Sequence, residues 1–278
     1  MPSAHPEQAA DRPRLVATDL DGTLLRSDGS VSDRTVAVWT ALPEHGVETV
    51  LVTARPPRWL HDLAHVVGPR GVALCGNGAF VYEVATRRML AHHTFERSTL
   101  LAIVADLRAS VPGIFFAAEG VEGPYVEQGW PDPHGDRAAA GVRHGSGVEV
   151  ADGAVGKLLA LAPGIPTPQF LEQVAAVVGD RGHLAYSGAH GLAEINPVGV
   201  TKAAALADWC ARLGIEAEQV WAFGDMPNDL PMLGWAGRGY AIATGHPDVL
   251  AAASHRAPGN DEDGVAAVLE PLLLPPLP

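Results

Sequence analysis

The chain has 278 residues, of which 47% are apolar and 18% charged, and its formal net charge is −13. This is the composition of a globular protein with room for about two domains. Its acidity argues against nucleic acid, which calls for clustered Lys and Arg, and against anionic membrane surfaces. Phosphate substrates stay open, because local charge and a bound cation decide that question.

Leu15-Val16-Ala17-Thr18 is the first apolar run and predicts a strand buried on both faces. Asp19-Leu20-Asp21-Gly22-Thr23-Leu24-Leu25 follows it. Side chains two apart on a strand share a face, so Asp19 and Asp21 are expected to emerge together at its carboxyl end. Gly22 then lets the chain turn. Two carboxylates so placed need a hard divalent cation or a shared proton. A solvated Asp-Gly turn is the plainer alternative. Ser32 is positioned to cap a helix to about His45, which Gly46 stops. Val47 to Val52 predicts a second strand, ending in Thr53-Ala54-Arg55. Pro56 and Pro57 suit the first turn of a helix that ends at Gly68. Gly71 to Cys75 is a third strand, before the tight turn Gly76-Asn77-Gly78. This alternation predicts a parallel sheet with right-handed crossovers.

The pattern then changes. Val81 to Val84 and Met89 to Thr94 read as a hairpin. Ser98 is expected to cap a helix whose apolar face is Leu100, Leu101, Val104 and Leu107. Ile114 to Ala118 predicts a strand, and residues 129–147 an irregular loop rich in Gly, Pro, Asp and His. Lys157 to Ala162 is a strand and Thr167 to Val178 a helix. His183 to Ser187 is expected to pair with Leu192 to Ile195 around Gly188-Ala189-His190-Gly191. These pieces predict an α+β unit inserted at residues 83–192. The parallel pattern resumes with a helix from Thr201 to Leu213 and a strand from Val220 to Phe223, ending in Gly224-Asp225-Met226-Pro227-Asn228-Asp229. A short helix, a strand from Tyr240 to Ala243 and helices from Pro247 and Gly264 complete it. The expected fold is α/β: a doubly wound, Rossmann-like parallel-sheet core of residues 1–82 and 193–278, with an inserted α+β cap domain.

Cys75 and Cys210 lack CxxC neighbours and read as small core residues. Met1 to Arg14 shows no apolar h-region, and the tail from Pro271 is too short and Pro-broken to span a bilayer. A cytoplasmic location is the expectation.

Ligands of a doubly wound sheet gather at the carboxyl ends of its strands. Asp19, Asp21, Thr53, Asn77, Asp225 and Asp229 are all expected there. Asp19 with Asp225 suits Mg²⁺, and an all-carboxylate set argues against zinc. Asp225 and Asp229 taken alone read as a loop and a helix cap. Lys202 sits in a first helical turn, where the dipole disfavours a cation unless an anion meets it. A solvated surface lysine is its plain alternative, and Lys157, at the start of a strand, is a weaker rival. A carboxylate can attack phosphorus to give an aspartyl phosphate. Lys202 and a metal would offset charge, Thr53 would donate to a phosphate oxygen, and Asp21 could protonate the leaving oxygen and then activate water.

With these stretches in view, the chain resembles the haloacid dehalogenase superfamily of phosphatases, specifically the Cof-type group with a type IIB cap. The four family motifs are matched in order by Asp19 to Leu25, by Thr53-Ala54-Arg55, by Lys202, and by Gly224 to Asp229. Gly76-Asn77-Gly78-Ala79 and Asn260-Asp261-Glu262-Asp263-Gly264-Val265 match further stretches of this group. The resemblance implies Asp19 as nucleophile and Mg²⁺ ligand. It implies Asp21 as general acid/base, with its backbone carbonyl on the metal, Asp225 as third ligand, and Asp229 as support for the metal shell. It places Thr53 and Lys202 on the phosphate with Asn228 beside it, and turns Arg55 and Asn77 toward the substrate; Ala54 belongs to the same phosphate loop. The chain departs from the family at Gly245-His246-Pro247, where Gly-Asn-Ala is common, and at Lys202-Ala203, where Lys-Gly is common. The implied partner is a small phosphorylated molecule, a sugar phosphate above all, and a homo-oligomer is left open. The resemblance also implies that the cap closes over the site, where its His92, His93, His134, His144 and His190 and Arg87, Arg88, Arg137 and Arg143 read mostly as surface residues. Two alternatives stay open: a sugar phosphomutase, and a phospho-accepting regulatory module.

Overall fold

The structure, a computed structural model, describes residues 12–68, 71–132, 141–148, 153–188 and 191–274. His134, Arg137, Ala189 and His190 lie outside the described residues. The chain divides into two compact units: the described residues up to Leu90 together with those from Lys202 onward, and Ala91–Thr201.

The first unit is built on an eight-stranded sheet. Its strands before the insert are β1 (Leu15–Thr18), β2 (Glu48–Val52), β3 (Val72–Cys75), β4 (Phe80–Glu83) and β5 (Arg88–His92). The insert carries β6 (Phe115–Gly120), β7 (Gly123–Glu127), β8 (Arg143–Gly145), β9 (Val155–Leu161), β10 (His183–Ala185) and β11 (Leu192–Asn196). After it come β12 (Val220–Gly224), β13 (Arg238–Ile242) and β14 (His255–Ala257). The strand order of the larger sheet is β14-β13-β12-β1-β2-β3-β4-β5. From β14 through β3 every neighbouring pair is parallel. Every residue of β1, β3 and β12 is buried, as expected for strands covered on both faces. Chain order reverses between β12 and β1, which creates the crevice where a doubly wound sheet takes its ligands.

Local signals explain the helices of this unit. Ser32 Oγ accepts the Thr35 N–H at 3.0 Å and caps the helix Asp33–Ala41. Gly46 ends its 3₁₀ extension at φ +77°. The segment after the two prolines is a 3₁₀ helix, Pro57–Leu63, with one α-turn, Ala64–Val67. Lys202–Leu213 is a regular helix whose face of Ala205, Leu206 and Cys210 is buried.

The inserted unit has its own six-stranded sheet, in the order β10-β11-β9-β6-β7-β8. Helices Arg97–Ser110 and Thr167–Val178 pack on it through a core that includes Leu100, Ile103, Phe116, Leu158, Phe170 and Ile195. Ion pairs brace it, two of them with a buried carboxylate. Lys157 Nζ meets Glu194 at 2.7 Å with both side chains buried, and Arg108 meets Glu127 at 2.6 Å. Lys157 is therefore an internal strut of this unit.

Several expectations need correction. The hairpin of β4 and β5 extends the larger sheet, since β4 pairs antiparallel with β3, so the compact insert is 91–201 rather than 83–192. Alternation in sequence can reveal a hairpin but not the sheet that adopts it. Ser98 does not cap its helix; the helix starts at Arg97, and Glu96 holds the cap position without a side-chain bond. The buried face of that helix is Leu100, Ile103, Val104 and Leu107, which completes the i, i+3, i+4, i+7 spacing with Ile103 where Leu101 was expected. Strand β8 lies within the stretch expected to be irregular and pairs with β7, also unforeseen; Gly and Pro hid both. The described histidines contribute no candidate metal group, and no helix among the described residues is long and apolar enough to cross a membrane.

Candidate active site

Four adjacent parallel strands deliver the polar residues to one end of the sheet. Asp19 follows β1, Thr53 follows β2, Asn77 follows β3, and Asp225 follows β12. Lys202 opens its helix with a side chain that is fully buried. Its Nζ donates to Asp19 Oδ1 and to Asp229 Oδ1, each at 2.7 Å. The anion that a lysine at a helix N-terminus requires is thus a pair of carboxylates. Asp229 Oδ2 accepts the backbone N–H groups of Asp225 at 3.1 Å and Met226 at 3.0 Å, which folds the loop back on itself.

Asp225 is held from two sides. Thr23 Oγ1 donates to its Oδ1 at 2.8 Å, and the His246 N–H donates to its carbonyl at 2.7 Å. Sequence reasoning gave Thr23 no role, because nothing in the spacing shows which distant carboxylate a turn hydroxyl will meet. Gly22 stands at φ +75°, and a Cβ there would lie 2.4 Å from Asp225 Oδ2. The turn needs glycine both for its backbone and for this close approach.

Asp19, Asp225 and Asp229 bring carboxylate oxygens within 4.8 Å of one another. Three carboxylates against one ammonium leave two formal negative charges in a buried place. Burial raises the Asp19 carboxyl well above the usual carboxylate range, with Lys202 pulling the other way. Burial, and then Asp229, push Asp225 up to about 6. Burial works against the charge of Lys202, yet Asp19 and Asp229 raise its pKa above the ordinary lysine value. The uncompensated charge and the all-oxygen donors fit a hard divalent cation; among the described residues no His or Cys joins the group.

The remaining predicted residues form a second arc. Asp21 does not place its carboxylate in the buried group. Strand geometry ends at Thr18, and Asp21 lies in the turn, so alternation no longer sets its direction. Arg55 instead grips it with Nε and a terminal nitrogen at 2.7 and 2.6 Å. Thr53 is buried, and its Oγ1 accepts the Arg55 N–H at 3.1 Å, which leaves the hydroxyl proton to donate elsewhere. Ala54, half-buried, links the two. Asn77 is buried at φ +59°, a left-handed turn that Asn tolerates, and its Oδ1 accepts from Asn228 Nδ2 at 3.2 Å.

A sequence profile of haloacid dehalogenase-like hydrolases matches residues 16–269. The chain belongs to that family. This hydrolase is 28% identical over 268 residues to the 5-amino-6-(5-phospho-D-ribitylamino)uracil phosphatase YitU of Bacillus subtilis, covering 93% of this chain and 97% of YitU. It is also 28% identical over 250 residues to an HMP-PP phosphatase of Shigella flexneri, covering 87% of this chain and 88% of that one. Among solved structures, SMU.1108c of Streptococcus mutans is similar with a TM-score of 0.81 and 25% identity, over 94% of this hydrolase and 99% of that chain.

Proposed function

We propose that this hydrolase is a Mg²⁺-dependent phosphomonoesterase for a small phosphorylated metabolite, with sugar phosphates as the favoured class, working through a phosphorylated Asp19. The observation that carries this reading is the buried group of Asp19, Asp225 and Asp229 around Lys202, which carries two formal negative charges in excess. The names of the relatives, phosphatases of small phosphorylated compounds, support it.

Asp19, Asp225 and Asp229, with the Asp21 carbonyl, would hold the Mg²⁺. When bound it supplies charge neutralisation and polarises the phosphoryl group. Lys202, Thr53 and Asn228 hold the phosphate oxygens. An Asp19 oxygen attacks phosphorus as the ester P–O bond breaks, and Asp21, protonated from solvent once it leaves Arg55, gives that proton to the departing oxygen. Asp21 then takes a proton from water, whose oxygen displaces Asp19 from phosphorus and releases inorganic phosphate. Arg55 binds Asp21 in the resting arrangement and would yield it when substrate arrives.

The test is phosphate release from a panel of esters. With Mg²⁺, turnover of at least one small phosphate ester is expected; with EDTA, a fall of about 10²-fold or more. A folded protein that binds Mg²⁺ yet releases phosphate from no ester would overturn the reading.

Proton and metal should also compete. Because folding raises the Asp225 pKa from 3.8 to about 6, its contribution to metal-free stability is full below 3.8 and lost as pH rises through about 6. Mg²⁺ binds the deprotonated ligands, so it offsets that loss. The Mg²⁺-induced gain in Tm is expected to be small at about pH 5 and several degrees at about pH 7. Thermal unfolding across that range, with and without the ion, checks it.

A further inference from the structure

Two segments far apart in sequence fix Asp225. The turn after β1 holds its carboxylate through Thr23, and the loop after β13 holds its carbonyl through the His246 N–H. That loop is pressed against its target: a Cβ on Gly245 would lie 2.9 Å from the same Asp225 carbonyl. The turn also carries Asp19. The relative position of turn and loop therefore sets how Asp225 faces Asp19.

One side chain joins the two segments. Asn260 is buried; its Nδ2 donates to the Leu25 carbonyl at 3.0 Å, and its Oδ1 accepts from Thr244 Oγ1 at 3.1 Å. Leu25 closes the turn and Thr244 precedes Gly245 in the loop. The neighbours of Asn260 secure the same turn: Asp261 accepts from the backbone N–H and hydroxyl of Ser27 at 2.8 and 2.7 Å, and Asp263 pairs with Arg26 at 2.8 Å. An amide suits this place because it offers a donor and an acceptor from one planar end. Aspartate would set an oxygen against the Leu25 carbonyl, and leucine would satisfy neither group.

We infer that Asn260 is a positioning residue for the reaction: it clamps the turn bearing Asp19 to the loop bearing His246, and so fixes Asp225 relative to Asp19. This rests on the reading that these aspartates hold Mg²⁺. Among the described residues, the side chain of Asn260 hydrogen-bonds to Leu25 and Thr244, not to the metal ligands or the phosphate-binding side chains named above.

The test compares the full-length wild type with Asn260→Ala, Thr244→Val and Thr244→Ser, measuring Mg²⁺ affinity by calorimetry together with kcat and KM. Asn260→Ala is expected to weaken Mg²⁺ binding and lower kcat about tenfold each, with KM for the ester little changed. Thr244→Val should act in the same direction, and Thr244→Ser, which keeps the hydroxyl, should match the wild type. A residue that only supports the fold would lower Tm and leave the Mg²⁺ affinity of the folded protein unchanged; that outcome overturns the inference. If Asn260→Ala does not fold, the Thr244 pair decides, and equal Mg²⁺ affinity in its two variants overturns it. An inactive wild type that binds no Mg²⁺ brings down the proposed function itself, whereas an active wild type with unaltered variants brings down the clamp alone.

Discussion

Asp19→Asn is expected to fold normally and to lose turnover by on the order of 10⁴-fold or more. The amide keeps the shape and still offers Lys202 an oxygen, so the 2.7 Å contact has a replacement. It cannot form the acyl phosphate. The same change removes one of three crowded carboxylates, lowering the formal charge of the group from −2 to −1. Because burial already disfavours charge at Asp19, metal-free stability should hold or rise. Phosphate release and thermal unfolding without Mg²⁺ check the two halves together. Retained turnover would remove Asp19 from its role, and a collapsed fold would mean the carboxylate supports structure first.

The second large effect is expected at Lys202. Its ammonium is fully buried and meets two carboxylates. Lys202→Met keeps much of the length of the side chain and removes the charge, leaving three buried carboxylates uncompensated. Removing one partner of a buried pair costs about 3–5 kcal/mol. The metal-free variant should therefore melt well below the wild type at about pH 7, and the gap should narrow at about pH 5 as carboxylates take up protons. Mg²⁺ should restore part of the stability but little activity, because the phosphate loses its cationic partner; a fall in kcat of about 10³-fold is expected. Scans with and without Mg²⁺ at both pH values would show it. An unchanged Tm would mean that the carboxylates do not depend on Lys202 for compensation.

Residues with strong local grammar were legible in the sequence. The buried strands before Asp19 and Asp225, the Ser32 cap and the helix Thr167–Val178 follow from apolar runs and capping chemistry. Strand ends then bring Asp19, Thr53, Asn77 and Asp225 to one side of the sheet. What stayed hidden depends on pairings between distant segments. Nothing near Asp21 announces that Arg55 will take its carboxylate. Nothing near Thr23 announces Asp225, and the Asn260 stretch could be matched to a family pattern without revealing that it bridges two loops. The β4–β5 hairpin was visible as a hairpin, but its allegiance to the larger sheet is settled by pairing with β3.

The parallel pairing of β1 with β12 has a consequence for the chain while it is being made. Translation produces Asp19 early and Lys202 183 residues later, with the whole insert between them. Until β12 has left the ribosome, β1 has β2 on one side and an open hydrogen-bonding edge on the other. A nascent or prematurely terminated chain ending inside the insert therefore holds Asp19 without the Lys202 ammonium that meets it, and a sheet with its central strand bare on one edge. An open central edge of that kind is a template for pairing with other chains, so the fragment is exposed to aggregation until β12 arrives.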